Sequence, residues 1–137
     1  MRPLRILLAE DDVDDAELIA VALQRSNLAH SLHHVSDGEM AISYLTGEAQ
    51  YSQREQFPLP AVLLLDLKMP RKNGFEVLQW IRSTKEWAQL PVIVLTSSDE
   101  PSDIKRAYEL GATSYLTKSA SFKNVLEILT TLSPSWK

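Results

Sequence analysis

Short, nearly unbroken runs of apolar residues alternate along this chain with longer stretches in which apolar residues recur every three or four positions. The segments Arg5 to Ala9, Ala61 to Leu65 and Pro91 to Thr96 are rich in Leu, Val and Ile and too short to be stable lone helices. They predict strands buried on both faces. His30 to Ser36 alternates more weakly and predicts an outer strand, and Ser114 to Thr117 a short fifth one. Between them the period changes. Asp14 to Ser26 carries Ala16, Ile19, Ala20 and Leu23 on one helical face, and a second helix runs from Asp37-Gly38-Glu39 to Leu45, ending before Gly47. Gly74 to Lys85 repeats Phe75, Val77, Leu78 and Ile81, a fourth helix opens at Pro101 and stops at Gly111, and Ser121 to Leu132 shows Phe122, Val125, Leu126 and Leu129. Strands alternating with helices predict an α/β fold built on a doubly wound parallel sheet.

The one long connection in the protein, residues 47–60, is polar and punctuated by Pro58 and Pro60. At 137 residues the chain is one domain with enough length for a proper core. Fourteen basic against 18 acidic residues give a net charge of −4 and no basic cluster, which argues against a nucleic-acid or anionic-membrane surface. The absence of cysteine excludes disulfides, thiolate chemistry and Cys-based metal sites. No run approaches membrane-spanning length and the apolar opening is too short for a signal sequence, so the cytoplasm is the expected compartment. His30, His33 and His34 invite a metal reading, but on a strand His33 points away from the other two, and solvated edge-strand residues are expected. Trp80 and Trp87 read as packing residues. Leu132 is assigned to the core stripe, whereas Ile128 and Trp136 are candidates for an exposed partner patch.

The strand ends carry the chemistry. Glu10-Asp11 closes the first strand, Asp66 the third, Thr96 the fourth, and Lys118 follows the fifth. The carboxyl ends of strands are where open parallel sheets place their crevice. Clustered carboxylates suit Mg2+, a hard cation that takes oxygen ligands, and a carboxylate can also act as a nucleophile. The metal and Lys118 would neutralise a phosphoryl group on Asp66, and Thr96 could donate to one of its oxygens. Alone, Asp66 would be a turn residue; this company makes it functional. Asp12 is expected to cap the first helix, and Asp14, Asp15 and Glu17 to form a solvated first turn that favours the helix dipole. Ser97 reads as a small residue that leaves access to the site, and Ser98 as plain loop.

Glu10-Asp11, Asp66-Leu67-Lys68-Met69-Pro70 with Gly74, Thr96-Ser97, and Tyr115-Leu116-Thr117-Lys118 after Gly111-Ala112 together resemble the receiver domain of two-component response regulators, over almost the whole chain. The separations of 30 positions from Asp66 to Thr96 and 22 from Thr96 to Lys118 agree with it. The resemblance implies a flavodoxin-like sheet of five parallel strands in the order 2-1-3-4-5, with five helices. It implies Asp66 as phosphoacceptor and a Mg2+ ion held by Asp11, Asp66 and the backbone carbonyl of Lys68, with Glu10 acting through water. Thr96 and Lys118 would grip the phosphoryl oxygens, and Tyr115 would report phosphorylation to the face of the fourth helix, fifth strand and fifth helix. A receiver spanning residues 1–137, with no output domain, would act by protein contact or as a phosphoryl sink rather than as an enzyme.

Two departures narrow the resemblance. Ser119 stands where receivers usually have proline, and a cis bond there would cost ~3 kcal/mol more than trans, so that loop is expected to be trans or reshaped. The 47–60 connection lengthens the gap from Asp11 to Asp66 to 55 positions. Both features resemble the phytochrome-associated single-domain regulators of cyanobacteria and their relatives, which implies a histidine kinase partner of the phytochrome type and a homodimer through the same helix-four to helix-five face. The side chain of Lys68 either overhangs the site, altering attack by water, or points to solvent. A rival reading is a Mg2+-dependent phosphohydrolase with an aspartyl nucleophile, but Lys68 occupies the position where a second acid would protonate the leaving group. A flavodoxin-like FMN binder would want a Gly- and hydroxyl-rich loop where Glu10-Asp11-Asp12 stands.

Overall fold

In a computed structural model, residues 3–118 and 122–132 are described, with the side chains of 122, 123 and 132 left aside. Five strands, β1 (Leu4–Ala9), β2 (His30–Val35), β3 (Val62–Leu65), β4 (Val92–Thr96) and β5 (Ser114–Thr117), alternate with five α-helices. These are α1 (Val13–Arg25), α2 (Gly38–Thr46), α3 (Gly74–Ser83), α4 (Pro101–Glu109) and α5 (Phe122–Leu132). The strands form one sheet in the order β2-β1-β3-β4-β5, and every neighbouring pair is parallel. The expected doubly wound sheet is therefore present, with element ends within two residues of the expected ones.

The apolar runs are solid because both faces of the sheet are covered. On β1, Leu4, Ile6 and Leu8 pack with Ile19 and Leu23 of α1 and Val125 and Leu129 of α5. Leu7 and Ala9, one position out of phase, pack with Tyr44 and Leu45 of α2 and Val77, Leu78 and Ile81 of α3. Leu67, Phe75, Val94 and Ala107 form a smaller cluster under α4. The edge strand β2 is mostly half-buried, which explains its weaker sequence signal.

Capping residues set where the helices begin. Asp12 accepts from the Asp15 amide to cap α1 and Asp37 from Met40 to cap α2, while Asn73 and Glu76 form a reciprocal capping box on α3. Asp37 is buried and pairs with Arg71 at 2.6 Å. Gly111, with φ of 105°, turns the chain out of α4 as its position predicts. Arg82 braces that turn by donating to the carbonyls of Gly111, Ala88 and Leu90.

The 47–60 connection is ordered and packed. It contains a 3-10 turn, Ala49–Tyr51, whose Tyr51 ring meets Tyr44 and Phe57. Arg54 folds back onto the carbonyls of Tyr44 and Leu45 at the end of α2, where the exposed carbonyls favour a cation. Tyr44 in turn donates to the Pro58 carbonyl at 2.8 Å.

Candidate functional site

Register brings the strand ends together. Ala9 stands opposite Leu65, and the Asp66 amide donates to the Ala9 carbonyl at 3.0 Å. The carboxylates that follow β1 and β3 therefore emerge side by side. Thr96 stands opposite Thr117, and the Lys118 amide donates to the Thr96 carbonyl at 2.7 Å. Glu10, Asp66 and Thr96 are 1%, 5% and 0% exposed, while Asp11 is open to solvent. Gly74 lets α3 begin against this edge. A Cβ there would lie 2.3 Å from the Asp66 carbonyl oxygen and 2.7 Å from the Leu67 Cα, so any side chain would displace the backbone that carries Asp66.

Lys118 holds the acidic groups in place. Its Nζ lies 2.7 Å from Glu10 Oε1, 2.7 Å from Asp15 Oδ2 and 3.2 Å from Asp66 Oδ2. Burial disfavours its ammonium, but the hydrogen bonds to Asp15 and Glu10 and the charge of Asp66 outweigh that and hold its pKa well above the usual lysine range. Burial also pushes the Glu10 carboxyl up to about 7, against the Lys118 hydrogen bond. One carboxylate oxygen each from Glu10, Asp11 and Asp66 lie within 4.8 Å of one another. Such an all-oxygen, anionic donor set fits a hard divalent cation such as Mg2+.

Asp15 corrects an expectation. The pattern predicts a solvated first-turn residue, yet Asp15 is a half-buried ion-pair partner of Lys118. A signal was present: Asp15, Ile19 and Leu23 fall at i, i+4 and i+8, so Asp15 stands on the core-facing stripe of α1.

Ser98 corrects another. It is buried, its Oγ donates to Asp103 Oδ2 at 2.6 Å, and its carbonyl accepts from the Tyr115 hydroxyl at 2.8 Å. The Ser98 amide lies 3.5 Å from Thr96 Oγ1. Tyr115 also packs against the cluster of Leu67, Phe75, Val94 and Ala107, and its backbone amide donates to the Tyr108 hydroxyl at 3.0 Å. Burial pushes the Tyr115 hydroxyl up. Only a Ser-Ser doublet marked this position in the sequence, and it does not say which serine turns inward; Ser97 is exposed.

The family model for the response regulator receiver domain matches residues 6–130. The chain belongs to that family. Response regulator Rcp1 of Synechocystis sp. is 36% identical over 134 residues, covering 98% of this chain and 89% of Rcp1. The Mn(2+)-bound form of Rcp1 superposes with a TM-score of 0.80, covering 98% of this chain and 94% of that one. The phosphorylated cyanobacterial phytochrome response regulator RcpA gives 0.82 at 36% identity, with the same coverage of 98% and 94%. The bacteriophytochrome response regulator RtBRR is 45% identical with a TM-score of 0.82, covering 96% of this chain and 78% of that one. The chain is thus a receiver of two-component signalling whose relatives include phytochrome response regulators.

The remaining candidates of the receiver separate cleanly. Asp12 caps α1 as expected. The Lys68 side chain is exposed, while its amide lies 3.4 Å from Asp66 Oδ1. The histidines do not converge: ring nitrogens of His30, His33 and His34 donate to the separate carbonyls of Leu28, Gln56 and Glu10. His33 is not a plain solvated residue, because its half-buried ring meets Tyr44 and Phe57. Trp80 and Trp87 pack against the α2–α3 core. Ile128, a candidate for a partner patch, is half-buried and packs in part against the α1–α5 core. Ser119, the Leu132 side chain and Trp136 lie outside the described residues.

Proposed function

We propose that this receiver takes a phosphoryl group onto Asp66 from a phosphohistidine of a sensor histidine kinase of the phytochrome type. The buried Asp66 carboxylate, 3.2 Å from Lys118 and within the Glu10–Asp11 cluster, carries this reading. An Asp66 oxygen attacks phosphorus, the P–N bond breaks, and its electron pair returns to the imidazole nitrogen. Lys118 donates to a phosphoryl oxygen and Thr96 to another, offsetting the charge that spreads over them. Mg2+ or another divalent cation, held by Asp11, Asp66 and the Lys68 backbone carbonyl with Glu10 nearby, would supply further neutralisation of that charge.

The phosphoryl–Thr96 contact exists in one conformer of the β4–α4 loop, and the Tyr115–Ser98 bond connects that loop to β5, so phosphorylation shifts the population of the α4–β5–α5 face. Output is protein contact there, including a homodimer; the net charge of −4 and the absence of a basic cluster disfavour a nucleic-acid partner. Lys68 offers no general acid two residues beyond Asp66, which favours a switch that holds its phosphoryl group over a turnover enzyme. No helix among the described residues is long and apolar enough to cross a membrane, and the cytoplasm is the proposed compartment.

Incubation with Mg2+ and phosphoramidate, followed by intact mass and sizing, tests the reading. A single phosphoryl adduct in the wild type and none in Asp66→Asn is expected. Equal labelling of Asp66→Asn would overturn the site.

A further inference from the structure

The Lys118 ammonium has three N–H donors, and three carboxylates surround it: Glu10, Asp15 and Asp66. Two of these partners belong to the Glu10–Asp11–Asp66 cluster that fits a divalent cation; Asp15 does not. A cation in that cluster competes with Lys118 for oxygens of Glu10 and Asp66. A phosphoryl group on Asp66 Oδ2, the oxygen 3.2 Å from Lys118, would take the place of that direct ion pair. Asp15 is then the partner that neither event removes. It is also well anchored, because its amide donates to the capping Asp12 carboxylate at 3.1 Å and its stripe on α1 buries Ile19 and Leu23.

We propose that Asp15 is a positioning residue for phosphoryl transfer, holding the Lys118 ammonium at the site while Glu10 and Asp66 are engaged by cation and phosphoryl group. The inference rests on Asp66 being the acceptor. Lysine is a flexible four-carbon stem with a rotatable head, and a fixed acceptor outside the cluster leaves its other donors directed inward. Bulk electrostatics predicts the opposite sign: removing a negative charge near the site would speed capture of an anionic donor.

The full-length chain is incubated with Mg2+ and phosphoramidate, and adduct formation is followed by intact mass. Asp15→Asn should slow phosphorylation roughly tenfold, the scale of one lost charge-assisted hydrogen bond. Asp14→Asn, the same charge change at an exposed neighbour without a Lys118 contact, should not slow it. In a Lys118→Met background, Asp15→Asn should change the rate by less than about twofold, because residues acting through one contact couple. Urea unfolding in saturating Mg2+ gives a second readout independent of phosphorylation. Asp15→Asn should lower the midpoint when Lys118 is present and leave it unchanged in Lys118→Met. A wild-type rate in Asp15→Asn, or the same drop in both backgrounds, overturns the proposal. A wild type that takes no phosphoryl group removes the Asp66 reading, and the unfolding cycle then decides whether Asp15 holds Lys118 beside bound Mg2+.

Discussion

The Tyr115 hydroxyl donates to the backbone carbonyl of Ser98 across 2.8 Å, joining β5 to the loop that follows Thr96. The Ser98 hydroxyl continues the connection to Asp103 on α4. Three segments that end at or flank the candidate site therefore share one hydrogen-bonded network, through which the proposed movement of Thr96 would reach the outer edge of the sheet.

Removing that hydroxyl should loosen the loop without dissolving the fold. Tyr115→Phe keeps the ring in its apolar cluster and loses one hydrogen bond, at a cost of about 1 kcal/mol. Urea unfolding gives the stability change, and amide exchange at Ser98 to Glu100 should quicken. An unaltered exchange rate there would show that the bond does not restrain the loop.

Gly74→Ala tests the close approach of α3 to Asp66, the proposed acceptor. Its Cβ would meet the Asp66 carbonyl at 2.3 Å, so the β3–α3 turn must move. Overpacking of this kind costs about 1–3 kcal/mol. Phosphorylation by phosphoramidate should fall as well, because the displaced backbone carries Asp66, the proposed nucleophile. A variant with wild-type stability and rate would mean that the turn yields freely.

Divalent cation binding should stabilise the chain through the acidic cluster. At a Mg2+ concentration a hundredfold above its dissociation constant the gain is about 2.7 kcal/mol, read as a rise in Tm. Asp11→Asn should abolish most of that rise. Without metal the same variant should be neutral or slightly more stable, since it relieves repulsion among carboxylates whose oxygens lie within 4.8 Å.

Alkaline stability should depend on Tyr44. Burial pushes its hydroxyl from 10.0 up to about 12, with the charge of Arg54 opposing. The unfolded chain therefore loses this proton before the folded chain does. The associated stability is fully present below pH 10.0 and disappears as pH rises towards about 12, an effect on the order of 2 kcal/mol. Comparing urea unfolding of wild type and Tyr44→Phe at each pH isolates it. Tyr44→Phe should be less stable at neutral pH, having lost its bond to Pro58, and should show a shallower alkaline decline.

The strands and helices were legible because each leaves a periodic trace. Strands covered on both faces read as solid apolar runs, and helices with one buried stripe repeat every three or four residues. Glu10-Asp11, Asp66, Thr96 and Lys118 were legible as a set because parallel strands deliver their carboxyl ends to one edge. Asp15 and Ser98 were harder to find, since an acidic first turn and a polar loop are what ordinary capping also produces. Ile128 could not be assigned from the pattern because α5 is apolar over more of its surface than one stripe, and the structure leaves it half-buried.

By itself, the sequence determined the order of elements, the two-faced burial of the central strands and the residues at their ends, all of which follow from local periodicity and spacing. Only the tertiary structure decided that Lys118 meets Asp15, a partner 103 positions away, that Ser98 rather than Ser97 turns inward, and that the 47–60 connection packs against His33 and Tyr44. Contacts between distant segments depend on how the helices seat against the sheet, and that seating leaves no period in the chain.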